Sequence, residues 1–358
     1  MRTGVFLPNW IGDVVMATPA LRALRHQADA AGDQLIGVMK PYVADVLEGL
    51  NWLDESLLTR KSAPGQPSLA QQLRQLQLDR VVLLTNSFRS GWRAWQSGAP
   101  ERIGVARDWR GPLLTTKLFE PRKNGRRLAV PPVDSYLNTA YAAGAEWQPP
   151  TLELATTDAD EQGADAVWDH FNLPAGDRVV VLNSGGAFGA AKSWPAEHFA
   201  GLAGRLAAEG WHVLVNCGPA ERDIARQIAA DSGSAQVVSL ADWPTADAWQ
   251  VPIGLSKAVI RRARLLVTTD SGPRFFGLAF GKPVVSLFGP MGFHATRTHS
   301  PLETPLSLNL DCSPCHKPVC PLKHHRCMRD LSVDRVFAAV QQQLGASDAE
   351  RLPSADAA

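Results

Sequence analysis

The sequence predicts an α/β protein made of two Rossmann-like halves of similar size, each with a parallel sheet, facing one another across a cleft. Three observations point there. Short β-branched runs alternate with amphipathic helical patterns, the arrangement that gives parallel sheets with helices on both sides. The alternation pauses at residues 144–160, GAEWQPPTLELATTDAD, where Pro-Pro and small, acidic residues suit an interdomain linker. Polar residues also recur just beyond predicted strands, and at 358 residues the chain is long for one domain and comfortable for two.

Taken in order, the expected strands of the first half are Gly4–Leu7, Leu35–Met39, Arg80–Leu84 and Arg102–Val105. Those of the second are Arg178–Leu182, His212–Val215, Gln236–Leu240, Leu265–Thr268 and Val284–Leu287. The segments between them read as amphipathic helices. In Trp194–Glu209, Phe199, Leu202, Ala203 and Leu206 fall on one face. The expected domains are 1–155 and 156–330, followed by a helix over 331–345 and a disordered, Ala/Asp/Ser-rich tail over 346–358.

Composition bounds the function. The net charge of +1 predicts no nucleic-acid partner, and 45% hydrophobic residues is ordinary for a globular protein. MRTGVFLPNWIGD lacks the charged-then-apolar form of a signal peptide, and no run approaches the ~18 apolar residues of a membrane span. The expectation is a cytoplasmic enzyme. Charge is uneven, however. Ten Lys or Arg lie between Arg89 and Arg127, opposed by Glu101, Asp108 and Glu120 alone. The run is either a solvated face or a surface for an anionic substrate or membrane.

Four turns carry candidate chemistry. In LPNWIGDVVMATPALRAL a strand breaks at Pro8-Asn9-Trp10, and Asp13 stands where a helix cap would. It either caps or also acts on a substrate. VVVLNSGGAFGAAKSWPAEHF runs from a buried strand through Ser184-Gly185-Gly186-Ala187 to Lys192 ahead of a helix. This is an anion cradle or an ordinary turn with a surface lysine; it is neither a Walker A loop nor a good G-x-G-x-x-G. Glu221 follows the strand of WHVLVNCGP, where a carboxylate either accepts from ribose hydroxyls or only complements a helix dipole. LLVTTDSGPR delivers Asp270, Ser271 and Gly272 to another helix start. Three such turns at strand carboxyl ends in one domain suggest one pocket.

The motifs NWIGDVVMATPALRALR, GGAFGAAKSWP, CGPAER and TDSGPR…GKPVVSLFGP, in this order, resemble the bacterial ADP-heptose:lipopolysaccharide heptosyltransferases of glycosyltransferase family 9, and among them the heptosyltransferase II type. The likeness spans about residues 3–340 and includes NSFRS at 86–90 and RIGVARDWRGPLLT at 102–115. It implies the GT-B fold and an inverting, metal-independent transfer of heptose from ADP-heptose to the lipopolysaccharide core. By the same likeness Asp13 matches the catalytic base and Lys192 the lysine that holds the donor diphosphate. Glu221 matches the acidic residue near the nucleoside, and Asp270, Ser271 and Gly272 the turn at the donor sugar and phosphates, with Ser184 in the same donor site. The first half is the acceptor side, where Arg89, Arg107 and Arg110 are candidates for acidic sugars and phosphates. Arg122, Lys123, Arg126 and Arg127 are candidates for the inner-leaflet membrane surface, as a peripheral protein would need. One departure stands out: Phe275 occupies the place of a common family histidine, with Arg274 beside it as a possible replacement. It leaves open another nucleotide-sugar or acceptor, or a binding protein without turnover.

Finally, DCSPCHKPVCPLKHHRCMRD holds Cys312, Cys315, Cys320 and Cys327 within sixteen residues. Four thiols so close can wrap a structural zinc, although the spacing fits no standard finger; free thiols or a disulfide pair are the alternatives. No cofactor is expected in the chemistry. Cys217 reads as a small buried residue.

Overall fold

The structure, a computed structural model, describes residues 1–60, 66–176, 178–186, 189–244 and 251–349. The chain divides into two compact units, Met1–Ala155 with His294–His299, and Thr156–Phe293 with Ser300 onward. Ala187 of the expected anion loop and residues 350–358 of the expected tail lie outside the described residues.

In chain order the first unit contains β1 (Arg2–Phe6), α1 (Ile11–Met16), α2 (Thr18–Ala31), β2 (Gln34–Met39), α3 (Pro41–Leu47), β3 (Glu55–Leu58) and α4 (Leu69–Gln75). Then come β4 (Arg80–Leu83), α5 (Phe88–Gln96), β5 (Glu101–Val105), β6 (Thr116–Leu118), the small hairpin β7 (Arg122–Lys123) and β8 (Arg126–Arg127), and α6 (Pro132–Ala142). The side chains of Arg126 and Arg127 lie outside the described residues. Six parallel strands form one sheet in the order β3-β2-β1-β4-β5-β6.

The second unit contains α7 (Asp158–His170), β9 (Val179–Asn183), α8 (Ala196–Ala208), β10 (His212–Asn216), α9 (Arg222–Asp231), β11 (Val237–Ser239) and α10 (Ile253–Arg262). It continues with β12 (Leu265–Thr269), α11 (Gly272–Ala279), β13 (Val284–Phe288), β14 (Glu303–Ser307), α12 (Arg326–Arg329) and α13 (Val333–Ala349). Its sheet repeats the plan, β11-β10-β9-β12-β13-β14, again all parallel. The α/β class and the two Rossmann-like parallel sheets are as expected.

The residues explain the layers. β9, β12 and β13 read VVVLN, LLVTT and VVSLF and are buried throughout, as strands covered on both faces must be. Phe199, Leu202, Ala203 and Leu206 of α8 join Val180, Leu182 and Val213 in one core, each large side chain there contributing about 1.5–3 kcal/mol by burial. Val336, Val340 and Leu344 carry α13 into the same core, and the Trp194 indole donates to the Leu331 carbonyl at 2.8 Å. That anchorage explains one correction: the helix does not stop at 345 but runs to Ala349, into the segment expected to be disordered.

In both sheets the strand order reverses once, between β1 and β4 and between β9 and β12. A crevice opens outside the strand carboxyl ends at such a point, and ligands of open α/β sheets bind there. Asp13 follows β1, the Ser184 loop follows β9, and Asp270 follows β12. Among the described residues no helix is long and apolar enough to cross a membrane.

Candidate active site

The carboxyl edge of the second sheet gathers the residues singled out there. Lys192 ends a single helical turn ahead of α8, and its Nζ lies 2.7 Å from Asp270 Oδ2 and 2.8 Å from the Asp270 carbonyl oxygen. Both side chains are largely buried, so this is an ion pair with little solvent to weaken it. Ser184 lies beside the same edge with its hydroxyl buried and without a hydrogen bond from the protein. A buried hydroxyl left so costs about 1–3 kcal/mol unless a ligand or water meets it.

Glu221 completes this edge from β10. A Cβ on Gly185 would lie 2.5 Å from Glu221 Cγ, so a side chain there would push that carboxylate aside. Ser271 stands as N-cap residue of α11 without capping it; its Oγ instead receives Asn183 Nδ2 at 3.2 Å. Asn183 is a site residue whose role the sequence did not reveal. Its amide nitrogen also donates to the Gly185 carbonyl at 3.1 Å, and Asn216 Nδ2 donates to its Oδ1 at 3.0 Å. One buried amide thus ties the ends of β9, β10 and β12 together. The only hint was polar residues closing otherwise apolar strands.

Behind Asp270 lies a second charge pair. Arg274, in the first turn of α11, is completely buried. Its Nη1 meets Asp270 Oδ1 at 3.1 Å, and its Nε and Nη2 form a two-point contact with Glu303 of β14 at 2.5 and 3.0 Å. Ser286 Oγ donates to the same Glu303 at 2.5 Å. The guanidinium also lies over the rings of Phe275, Phe288 and Phe293, 4.6, 4.9 and 5.7 Å from their centres. This corrects the expectation for Arg274. It does not stand in for the histidine at a ligand; it braces Asp270 from inside the core, and Phe275 is one wall of its cage.

In the first unit Asp13 is not the helix cap. Trp10 holds that position, no side chain caps the helix, and Asp13 lies in the first turn of α1. Its carboxylate instead accepts a hydrogen bond from Tyr136 of α6. Burial, then the charge and hydrogen bond of Asp13, hold the Tyr136 phenol well above its ordinary pKa, so it remains a donor.

The three arginines separate. Arg89 is exposed at the start of α5. Arg107 ties two turns together, with Glu120 at 3.1 Å and Asp108 at 3.5 Å. Arg110 is fully buried, contrary to its expected place on an acceptor surface. It donates to the carbonyls of Val105 and Thr85, to Ser90 Oγ and to Asn86 Oδ1, so it shapes the 85–90 loop from within. Burial, and the like charge of Arg107, pull its pKa down to about 10 against the attraction of Asp108.

Cys312, Cys315, Cys320 and Cys327 line one small cavity with His324 and His325, and all four are free thiols. Among the described residues no three His, Cys, Asp or Glu side chains are gathered as ligands of one ion. Burial, then the charges of Cys315, Cys320 and Cys312, push the Cys327 thiol up.

Comparison with known proteins gives the chain its family and its fold. The family described as glycosyltransferase family 9 (heptosyltransferase) matches residues 67–326. Lipopolysaccharide heptosyltransferase 2 of Escherichia coli is 26% identical over 300 residues, 81% of this chain and 83% of that protein. Lipopolysaccharide heptosyltransferase 1 of Pseudomonas aeruginosa is 30% identical over 299 residues, 79% of this chain and 76% of that one. The solved structure of the E. coli ADP-heptose lipopolysaccharide heptosyltransferase II superposes with a TM-score of 0.77 at 23% identity, over 97% of this chain and all of that one, which shows a shared fold.

Proposed function

Because the chain belongs to glycosyltransferase family 9, the heptosyltransferases, we propose that it moves a heptose from ADP-heptose to the inner core of a lipopolysaccharide, with inversion at the anomeric carbon. The observation that carries this reading is the carboxyl edge of the second sheet. Lys192 stands there on Asp270, beside the unpartnered Ser184 hydroxyl and the Glu221 carboxylate.

In the reaction the acceptor oxygen forms a bond to the anomeric carbon as the bond from that carbon to the diphosphate breaks. The acceptor proton passes to the Asp13 carboxylate, and ADP leaves as an anion. Lys192 and the loop amides meet the charge that develops on the diphosphate, so no general acid is required. Glu221 accepts from the nucleoside, and Asp270 and Ser271 orient the sugar. Tyr136 donates to Asp13 and aims it. Arg89 and Arg107 meet the anionic acceptor. The acceptor is anchored in lipid, so the protein works in the cytoplasm at the surface of the inner membrane.

The test is transfer from ADP-heptose, followed by ADP release. Asp13→Asn is expected to lower turnover about 10²–10⁴-fold while leaving the thermal shift induced by ADP unchanged. Lys192→Ala is expected to weaken ADP binding about tenfold or more. Equal turnover in Asp13→Asn and the parent would remove Asp13 as the base.

We further propose a structural zinc on Cys312, Cys315, Cys320 and Cys327. Four free thiols on one cavity support it, and since among the described residues they are not gathered as ligands of one ion, binding would require the loop to draw them together. Zinc there would fix the 312–327 loop and take no part in transfer. Metal analysis of protein purified without chelator is expected to find one zinc per chain, and none would overturn the assignment.

A further inference from the structure

Helix α5 is turned inside out. Its small residues Ser90, Gly91 and Ala94 are buried, while Phe88, Trp92 and Trp95, at positions i, i+4 and i+7, are 49%, 42% and 49% exposed. Trp92 and Trp95 stack on each other at 4.8 Å. An amphipathic helix normally buries its aromatic stripe; here the stripe faces outward, a concentration that marks an interaction site.

More aromatic surface belongs to the same side of the unit. β4, β5 and β6 are neighbouring parallel strands, so the turns that follow them share one sheet edge. The turn after β4 leads to Phe88. The turn after β5 presents Trp109, 93% exposed, through two successive left-handed residues, Asp108 at φ 51° and Trp109 at φ 63°. The turn after β6 presents Phe119, and then the exposed Arg122 and Lys123 of β7.

Charge identifies the occupant. Among the described residues Arg89, Arg93, Arg122 and Lys123 form no ion pair with a carboxylate, whereas the nearby Asp108 and Glu120 both pair with Arg107. Exposed indoles combined with these cations match the interfacial zone of an anionic bilayer, where tryptophan lies at headgroup depth and basic residues meet lipid phosphate. We propose that the outward stripe of α5, with the turns bearing Trp109, Phe119, Arg122 and Lys123, is the surface on which this protein docks to an anionic membrane. The proposal deepens the reading of a lipid-anchored acceptor and rests on it.

The experiment is co-sedimentation of the full chain with vesicles of phosphatidylcholine alone or of phosphatidylcholine with one quarter phosphatidylglycerol. Binding is expected to the anionic vesicles only, to weaken with salt, and to shift indole emission to the blue. Trp92→Ala with Trp95→Ala is expected to weaken it at least tenfold, and Arg122→Glu and Lys123→Glu about fivefold or more each. The ADP-induced thermal shift of all three variants should equal the parent's, which shows that they are folded with the donor site intact. Unchanged vesicle binding by the tryptophan variant overturns the proposal. So does a vesicle-free oligomer that this variant abolishes, which would make the stripe a protein contact. Transfer to a water-soluble acceptor fragment is read separately: its failure with vesicle binding intact counts against the transferase reading and leaves the docking surface standing.

Discussion

Arg274 lies one helical turn beyond Asp270 and donates to its Oδ1 at 3.1 Å from a guanidinium with no exposed surface. Glu303, from an edge strand, holds the other side of the same guanidinium. Removing the middle of this array leaves the buried Glu303 carboxylate without its cation and Asp270 with Lys192 alone. Arg274→Ala is therefore expected to destabilise the protein by about 3–5 kcal/mol, seen as a drop of several degrees or more in Tm. Glu303→Gln keeps the shape and loses the charge. It should weaken ADP binding several-fold with a smaller loss of stability, and unchanged affinity would uncouple Glu303 from the donor site.

Tyr136 donates to the carboxylate proposed as base. Without that donor the carboxylate loses a partner that fixes its direction. Tyr136→Phe should lower kcat severalfold with little change in KM for ADP-heptose. An unchanged kcat would leave Tyr136 only a packing role.

Arg110 offers its planar fork to two carbonyls, a hydroxyl and an amide oxygen. Lysine cannot span those acceptors. Arg110→Lys should therefore cost about 1.5–3 kcal/mol of stability, read as a shift in urea midpoint. A stable variant with impaired acceptor binding alone would return Arg110 to the role the sequence suggested.

Burial pushes the Cys217 thiol up to about 12. The unfolded chain loses that proton near pH 9, before the folded chain does. This stabilisation is complete below about pH 9 and is lost as pH rises toward about 12. Tyr136 adds a loss of the same sign above about pH 10. Urea midpoints should fall steeply between these limits, and Cys217→Ala should flatten the fall.

The nine strands expected from the sequence are all present, because an apolar β-branched run in a buried parallel strand is its own signal. Glu55–Leu58, Thr116–Leu118 and Glu303–Ser307 went unseen. All three lie at or beside sheet edges, half-exposed, and ESLL, TKL and ETPLS carry no such run. The turns bearing Lys192, Glu221 and Asp270 were legible because small and polar residues interrupt strong strands. Arg110 was not, since an arginine within a basic run looks like a surface residue until the loop around it is known. Arg274 was missed as a brace for the same reason: its partner Glu303 is 29 residues away, on a strand the sequence hides.

The place of Glu303 has a consequence for how the protein is made. A ribosome releases Asp270 and Arg274 well before residue 303, so a nascent chain passes through a stage in which a cation bound for the interior has only half its counter-charge. The second sheet is thus completed late in synthesis, and a chain cut short before β14 would emerge with Arg274 and Asp270 unbraced.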